Sequence, residues 1–443
     1  MRRRSFLFGA AWAAWGAPRP FGTIAYILHD GLWIREAPNG RPYRLVSGAR
    51  IDSPRFSPSG KWIRYFRAGV PHVVSIDGGS NVDLGKAGCQ WSPAGDELLV
   101  DGPAGLNIWT ADSGWRGATR TISGASLPVV FSPDGKEIVY GDATTNGRGP
   151  GGEPMRTGRL CRLALQAPDS RPKVLGSEYL AGKIPCAWSR NGEYIVFWND
   201  PEFSASLMAD GLELFRIPAA GGAAQSLGIS TLVHSDMLCF SPAQDKLAVS
   251  TGGGRNEWEE KRIAAIDLET AAISYLTPNS MAAVTPAWSP SGAAIAYSAA
   301  SGPSAAKWGG PTGPRPTPPP ASLQPLGQER VQGAPRGPGG PPHEPFGGGE
   351  QARRLLAGRR IWVGDVKLTG DSRYRDEEPV WSADGQHILF CRMAHDNSKT
   401  LWLMGADGTD AVQLAGPLAV VDDSWFGYYG YISWHDAFDT RLR

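Results

Sequence analysis

Residues 131–136 read Phe-Ser-Pro-Asp-Gly-Lys, and versions of this short motif recur seven times along the 443-residue chain. The common form is an aromatic residue followed by Ser and usually by Pro, a variable residue and Gly. The copies begin at Phe56, Trp91, Phe131, Trp188, Phe240, Trp288 and Trp381. Such internal repetition predicts a solenoid, a propeller or another repeat array.

Short runs of strand-forming residues follow each copy. In the third copy the run is Glu137–Tyr140, and in the second copy the alternating run Leu106–Trp109 follows after a gap. Runs of β-formers bounded by Gly, Pro, Asn and Asp predict strands. Four such runs per copy predict an all-β chain, a β-propeller built from four-stranded antiparallel blades.

The motif also has a structural role that can be derived from its residue types. Pro restricts the residue before it to extended backbone, and Gly supplies the positive φ of a tight hairpin. The aromatic residue is large enough to pack between neighbouring blades and to set their spacing. The motif therefore predicts a turn and a packing anchor rather than a chemical group.

The two ends of the chain predict how the propeller closes. Three runs without a motif, which begin at Thr23, Leu32 and Tyr43, precede the first copy, and one run, Tyr431–Asp436, follows the last. We expect these runs to share one composite N/C-terminal blade that removes the exposed sheet edges. The expected count is eight blades; another pairing of the terminal strands would give seven.

The motif and its following strands resemble the TolB-type propeller repeat, in which aromatic-Ser-Pro-Asp-Gly-Lys precedes a strand such as Ile138–Tyr140 and a later Asp-Gly turn such as Asp407-Gly408. The resemblance covers nearly all of the chain after its first residues. It implies the propeller fold and says little about function. The chain departs from TolB in a long insertion, in a blade count above six and in having no room for a helical domain before the strands.

The remaining segments complete the predicted domain organisation. Residues 1–20 place Arg2, Arg3 and Arg4 before a short apolar run, which predicts an export signal, in a form similar to a twin-arginine signal, and a periplasmic or extracellular protein. Residues 21–443 are expected to form a single propeller domain, with no transmembrane span and as a monomer. Residues 301–358 are expected to be a disordered Pro/Gly-rich insertion within the sixth blade.

Composition and motifs narrow the function classes. The formal net charge of +1 and the lack of a basic-aromatic groove argue against nucleic acid as a partner. No Gly-x-Ser-x-Gly elbow or metal-ligand spacing occurs, so we predict no enzyme activity, no metal and no cofactor. The five cysteines lie in apolar runs and are interpreted as buried small side chains, although one disulfide is compatible with export.

Two groups of residues are the candidate binding sites. The links between blades converge at the mouth of the central channel, and they carry the polar candidates Asp52, His234, Asp236, Glu377 and Glu378. The aromatic candidates, which could stack on a sugar or anchor a partner, are Trp425, Tyr428 and Tyr429. Solvated mouth residues and a plug between the first and last blades are the structural alternatives.

The function favoured by these observations is a non-enzymatic exported scaffold that binds an unknown protein or cell-envelope component. Connections between the second and third strands are long in several blades, and insertions that collect on one face often mark a binding face. The alternative is a carbohydrate-binding or small-molecule-binding protein, or a metal-dependent lyase, with its site at the channel mouth.

Overall fold

The computed structural model describes residues 22–85, 88–148, 154–165, 171–179, 181–201, 203, 211–252, 261–300, 357–394, 398–419 and 438–440. Within these ranges the chain is all-β, with two one-turn 3-10 helices, Ser235–Met237 and Asn279–Met281, between strands. The predicted all-β class is confirmed. No helix among the described residues is long and apolar enough to cross a membrane.

Four strands surround each motif copy, and we call each such group a repeat and number the strands in chain order. Repeat 1 contains β4 (Ile51–Phe56), β5 (Trp62–Arg67), β6 (Val70–Ser75) and β7 (Asn81–Asp83). Repeat 2 contains β8 (Cys89–Trp91), β9 (Glu97–Gly102), β10 (Gly105–Thr110) and β11 (Arg120–Ser123). Repeat 3 contains β12 (Val129–Phe131), β13 (Glu137–Arg148), β14 (Pro154–Ala164) and β15 (Lys173–Tyr179).

The later repeats follow the same order. Repeat 4 contains β16 (Gly182–Trp188), β17 (Tyr194–Asp200), β18 (Gly211–Pro218) and β19 (Gln225–Leu232). Repeat 5 contains β20 (Leu238–Phe240), β21 (Lys246–Thr251), β22 (Arg262–Asp267) and β23 (Ile273–Tyr275). Repeat 6 contains β24 (Val284–Trp288), β25 (Ile295–Ala300), β26 (Arg359–Val363) and β27 (Val366–Lys367). Repeat 7 contains β28 (Tyr374–Trp381), β29 (His387–Ala394), β30 (Lys399–Gly405) and β31 (Val412–Ala415).

A further sheet combines the two ends of the described chain. It contains β1 (Thr23–Leu28), β2 (Gly31–Glu36), β3 (Tyr43–Ser47) and β32 (Phe438–Thr440), in the order β3-β2-β1-β32. We call it the composite sheet. The strand that pairs with β1 is thus Phe438–Thr440, whereas the predicted closing run, residues 431–436, lies outside the described residues.

The strands of each group pair antiparallel with their sequence neighbours, as hairpins require. Repeats 4 and 5 are also joined at one position, where Thr231 pairs with Thr251. The motif forms the turn between the first and second strands. In repeat 3, the Gly135 N–H donates to the Ser132 carbonyl at 2.8 Å, and Gly135 has a φ of +70°. The predicted turn is therefore confirmed.

The hydrophobic core is divided into clusters that lie between successive groups. Ala296 and Ile361 of repeat 6 pack with Ile388 and Phe390 of repeat 7. Tyr26 of the composite sheet packs with residues of repeat 7. Other side chains of the composite sheet, including Ile27 and Ile34, pack with repeat 1. Four-stranded sheets that pack face to face in series agree with the predicted β-propeller.

Two predicted segments fall outside this description. The predicted export signal, residues 1–20, lies outside the described residues, and so does the predicted insertion 301–358 apart from its last two residues. β25 ends at Ala300 and β26 begins at Arg359, so the intervening residues connect the second and third strands of repeat 6. All five cysteines are free thiols, so no disulfide forms in this structure.

Candidate functional site

In the composite sheet, β32 takes the place of the first strand, and β1, β2 and β3 are the second, third and fourth strands. One edge of the sheets carries the connections between the second and third strands. Each of these connections leaves from the last residue of a second strand: Leu28, Arg67, Gly102, Arg148, Asp200, Thr251, Ala300 and Ala394. The links from one group to the next leave from the same edge, because the strands alternate in direction. We call it the mouth edge.

The lengths of these connections differ around the molecule. In the composite sheet and in repeats 1 and 2, only residues 29–30, 68–69 and 103–104 separate the second strand from the third. In repeats 4, 5 and 6, the connections span residues 201–210, 252–261 and 301–358. In repeat 3 the strands themselves extend, because β13 has 12 residues and β14 has 11. The long connections therefore belong to repeats that follow one another.

The mouth edge of repeats 6 and 7 contains a cluster of buried charges. Glu377, on β28, is 2% exposed and forms ion pairs with Arg359 of β26 and with Arg375, each at 3.1 Å. Burial lowers the pKa of the fully buried Arg359 guanidinium, and the neighbouring Glu377 carboxylate acts in the opposite direction. A buried charge requires such partners because its desolvation is costly. We call Arg359, Arg375, Asp376, Glu377 and Arg392 the charge cluster.

The second ion pair of the charge cluster joins β28 to β29. Arg392 holds Asp376 with two hydrogen bonds, from Nε at 2.7 Å and from Nη2 at 3.0 Å. The guanidinium carbon of Arg392 also lies 4.6 Å from the ring centroid of Trp402 and 4.8 Å from that of Tyr374. This two-pronged geometry with aromatic contacts fixes the side chain of Asp376. The Arg392–Asp376 ion pair therefore holds β28 and β29 together and fixes the orientation of the Asp376 carboxylate.

Three first strands share a backbone irregularity beside the candidate residues. Ser53, Thr285 and Glu378 have φ values of +50°, +53° and +53°, and the strand register shifts at each of them. Each precedes a Pro and lies three residues before a motif aromatic. A positive φ is costly for a residue other than Gly, and a bulge redirects the side chain. Residue order alone could have pointed to this recurrence, since an x-Pro-x-aromatic-Ser pattern precedes these turns.

Two of the polar candidates, Glu377 and Glu378, are adjacent on β28. Glu377 pairs across β28 and β29 with Cys391, and the adjacent Glu378 is 4% exposed, with its backbone N–H donating to Ser298 Oγ at 3.0 Å. Asp52 lies in repeat 1, where it pairs with Phe66. The composite sheet packs between repeat 7 and repeat 1, so Asp52 and Glu377 lie on sheets that are not neighbours.

The other candidates form a separate group or are not described. His234 is 7% exposed and directly precedes the 3-10 helix that contains Asp236. β24 of repeat 6 contacts both this helix and β28, so repeat 6 lies between the link that carries His234 and Asp236 and the strand that carries Glu377. The aromatic candidates Trp425, Tyr428 and Tyr429 lie outside the described residues. Arg359 and Arg392 were not predicted as site residues, because no local sequence pattern signals that they are buried opposite acidic residues.

The Cys391 thiol of the charge-cluster region is not activated as a nucleophile. Burial, together with the Glu378 and Glu377 carboxylates, raises the pKa of the Cys391 thiol well above its ordinary value. The thiol therefore stays protonated at neutral pH, and a protonated thiol is a poor nucleophile and metal ligand. Among the described residues, no three His, Cys, Asp or Glu side chains are grouped as metal ligands.

Comparisons of sequence identify no relative. No family model matches the chain, and no curated protein matches it. Comparison of structures gives many similar chains. Dipeptidyl peptidase 4 from Porphyromonas gingivalis aligns with 88% of this chain at 10% identity and a TM-score of 0.53. The dihydro-heme d1 dehydrogenase NirN aligns with 90% at 14% identity and a TM-score of 0.52.

The shared length limits what these similarities mean. The alignment covers 57% of the dipeptidyl peptidase and 74% of NirN. TolB from Acinetobacter baumannii is 18% identical over 58% of this chain and 64% of its own, with a TM-score of 0.34. The chain thus spans only about half of the peptidase's length. At such low identities, what this chain has in common with the peptidase and NirN is the fold.

Proposed function

We propose that this protein is a non-enzymatic, exported β-propeller of eight blades that binds a protein or cell-envelope component through its mouth edge. Seven repeats and the composite sheet support this blade count, because each is a group of four antiparallel strands. The contacts of the composite sheet with repeat 7 on one side and repeat 1 on the other support closure of the ring. The first residues, with Arg2 to Arg4 before an apolar run, support export.

The single observation that carries the binding role is the uneven length of the connections at the mouth edge. Repeats 3 to 6 carry long connections or extended strands, whereas the composite sheet and repeats 1 and 2 carry tight turns. Long additions to one edge of a regular scaffold create a surface that the scaffold itself does not need. Binding residues are often carried on such loops, positioned by a rigid framework.

The experiment measures binding of the purified chain to cell-envelope extracts. In one variant a short Gly-Ser linker replaces residues 301–356, so β25 and β26 are retained. The control variant carries Asp365→Ala in the exposed turn between β26 and β27, at the opposite edge. We expect the linker variant to lose a partner that the control retains. Equal recovery of the same partner by both variants, or no partner for the unaltered chain, would contradict the proposal.

A ligand site at the channel mouth is the second candidate. It is favoured by the burial of two adjacent carboxylate residues, Glu377 and Glu378, beside Arg359. Buried charges of this kind also occur in binding sites for small polar ligands. Elemental analysis of the purified protein tests its metal-dependent form. A stoichiometric divalent ion that is lost in the Glu378→Gln variant would favour this candidate over the scaffold.

A further inference from the structure

A cavity of about 560 Å³ lies at the junction between the composite sheet and repeat 7. Pro38 and Asn39 line it from the composite sheet, and His387, Leu403, Asp407 and Asp410 line it from repeat 7. We call it the seam cavity. Pro38 and Asn39 belong to the turn between β2 and β3, and Asp407 and Asp410 to the turn between β30 and β31. These turns lie at the edge opposite the mouth edge. The volume is that of a site for a small molecule or a single side chain.

The seam cavity is negatively charged. Asp407 and Asp410 contribute two carboxylates, and no Lys or Arg is among the described residues that line the cavity. The N–H and hydroxyl of Thr409 donate to Asp407 Oδ1 at 3.0 and 2.7 Å, and these hydrogen bonds lower the pKa of Asp407 below its ordinary value. Asp407 is therefore ionised at neutral pH, and its Oδ2 points to no described hydrogen-bond donor.

Two further features indicate the kind of ligand. Val412, which is 48% exposed, and the half-buried Pro38 give the lining an apolar part. Gln386 and His387 also line the cavity. A suitable ligand thus combines an apolar stem with a hydrogen-bonding cationic end.

We propose that the seam cavity binds a lysine side chain presented by a partner polypeptide, with its alkyl stem along Pro38 and Val412 and its ammonium at Asp407 and Asp410. Charge complementarity selects this occupant, since a carboxylate-lined cavity without a cationic side chain repels anions. The site is separate from the mouth edge and does not depend on the function proposed above. Because its lining comes from both ends of the chain, an occupant would also hold the composite sheet against repeat 7.

The test uses two small probes and the full chain. N-acetyl-L-lysine amide carries the stem and ammonium, and N-acetyl-L-norleucine amide lacks the ammonium. Saturation-transfer NMR and titration should detect the lysine probe and give about threefold weaker binding for norleucine, since an ion pair with exposed carboxylates is weakened by water. The lysine probe should also raise the unfolding temperature.

Matched variants locate the binding. Asp407→Asn retains the side-chain acceptor of the turn, and Asp410→Asn suits the positive φ of +53° at that position, so both variants should fold. Each should weaken lysine-probe binding about threefold, whereas Asp365→Asn, an exposed turn carboxylate of repeat 6, should leave it unchanged. Equal binding of both probes, no binding of the lysine probe, or full binding by the Asp407→Asn/Asp410→Asn double variant would overturn the proposal.

Discussion

Three of the four motif tryptophans connect neighbouring repeats through a recurring hydrogen bond, whereas the Trp188 indole N–H donates to the Gly192 carbonyl of its own turn. The indole N–H groups of Trp91, Trp288 and Trp381 donate to the carbonyls of Arg55, Cys239 and Ala287 at 3.1, 3.2 and 3.0 Å. In each pair the acceptor lies directly before the motif aromatic of the preceding repeat. The expected packing anchor is therefore confirmed, and it carries a directional bond in addition to its contacts. The motif copies that have Phe make the apolar contact without this bond.

Replacing Trp381 by Phe should therefore destabilise the protein while preserving most of the apolar contact. The change leaves the Ala287 carbonyl without its donor, which costs about 1–3 kcal/mol when the group is buried. Urea unfolding followed by tryptophan fluorescence and circular dichroism measures the change in unfolding free energy. Trp33→Phe is the control, because its indole N–H donates to an exposed Asp30. Equal effects of both substitutions would contradict the role given to Trp381.

Ionisation of a buried tyrosine of repeat 6 should make the unfolding free energy depend on pH. Tyr297 is 2% exposed and donates to the Gly364 carbonyl at 2.5 Å, and burial, assisted by Asp365, raises the pKa of Tyr297 to about 12. Its ordinary value is 10.0, so the folded state holds the proton more tightly than the unfolded state. The associated stability is complete below pH 10 and is lost as the pH rises towards 12.

Stability should consequently fall between pH 10 and pH 12 by up to about 1.4 kcal/mol per pH unit from this group. The measurement is the unfolding free energy of the unaltered chain and of Tyr297→Phe across that range. Phe cannot ionise, so the variant should show a shallower decline, although it is less stable at neutral pH. Parallel curves for the two proteins would show that Tyr297 does not contribute to the dependence.

At the level of elements, the first strands combine regular pairing with local departures from it. β4, β24 and β28 are hairpin partners of the strands that follow them, yet each contains a register shift. The shift in β28 lies at Glu378, beside the ion pairs of Glu377 and Asp376. A bulge turns adjacent side chains away from their regular alternation, which allows successive charged residues of one strand to reach different partners.

The pair between β28 and β29 should behave as a buried ion pair. Asp376 is fully buried, so Asp376→Asn or Arg392→Met alone should cost about 3–5 kcal/mol by leaving a charge without its partner. The double variant should cost much less than the sum of the two. Unfolding free energies of the four proteins in a double-mutant cycle measure this coupling.

An exposed ion pair of the same repeat provides the comparison. Asp371 pairs with Arg373 at 2.6 Å, but the Arg373 side chain is 75% exposed. Because water screens such a pair, Asp371→Asn should change the unfolding free energy far less than Asp376→Asn does. Additive effects of the Asp376 and Arg392 substitutions would exclude the coupling inferred from their two hydrogen bonds.

At the level of the whole molecule, the composite sheet brings the two ends of the described chain together. Ala25 pairs with Asp439, and the Asp439 carboxylate accepts a hydrogen bond at 2.8 Å from the Phe56 N–H of repeat 1. β32 thus bonds both to its own sheet and to the next repeat. Phe438, which is 3% exposed, adds an apolar anchor on the side of repeat 7.

Removal of residues 438–443 should destabilise the whole molecule rather than one end. The truncation deletes the pairing of β32 and exposes apolar surface, and burial of Phe438 alone contributes about 1.5–3 kcal/mol. Differential scanning calorimetry should show a lower unfolding temperature and a less cooperative unfolding transition. Removal of residues 441–443 is the control and should have little effect. If the longer truncation unfolds like the control, β32 does not close the molecule.

The all-β class, the turns and the order of strands within each repeat follow from the sequence alone. These features are local, because each hairpin joins strands that are adjacent in sequence and each turn depends on nearby Ser, Pro and Gly. The same locality explains why strands such as β5 and β29 begin directly after their motif copies, as expected.

Only the tertiary structure decided which charged side chains meet. Arg359 and Glu377 lie on different repeats, and Asn39 and Asp407 come together only because the chain returns to its beginning. The sequence pointed to Glu377 and Glu378 but not to their cationic partners, and it placed the closing strand a few residues before Phe438. Packing between sheets selects partners by position in space, and no short-range pattern records that position.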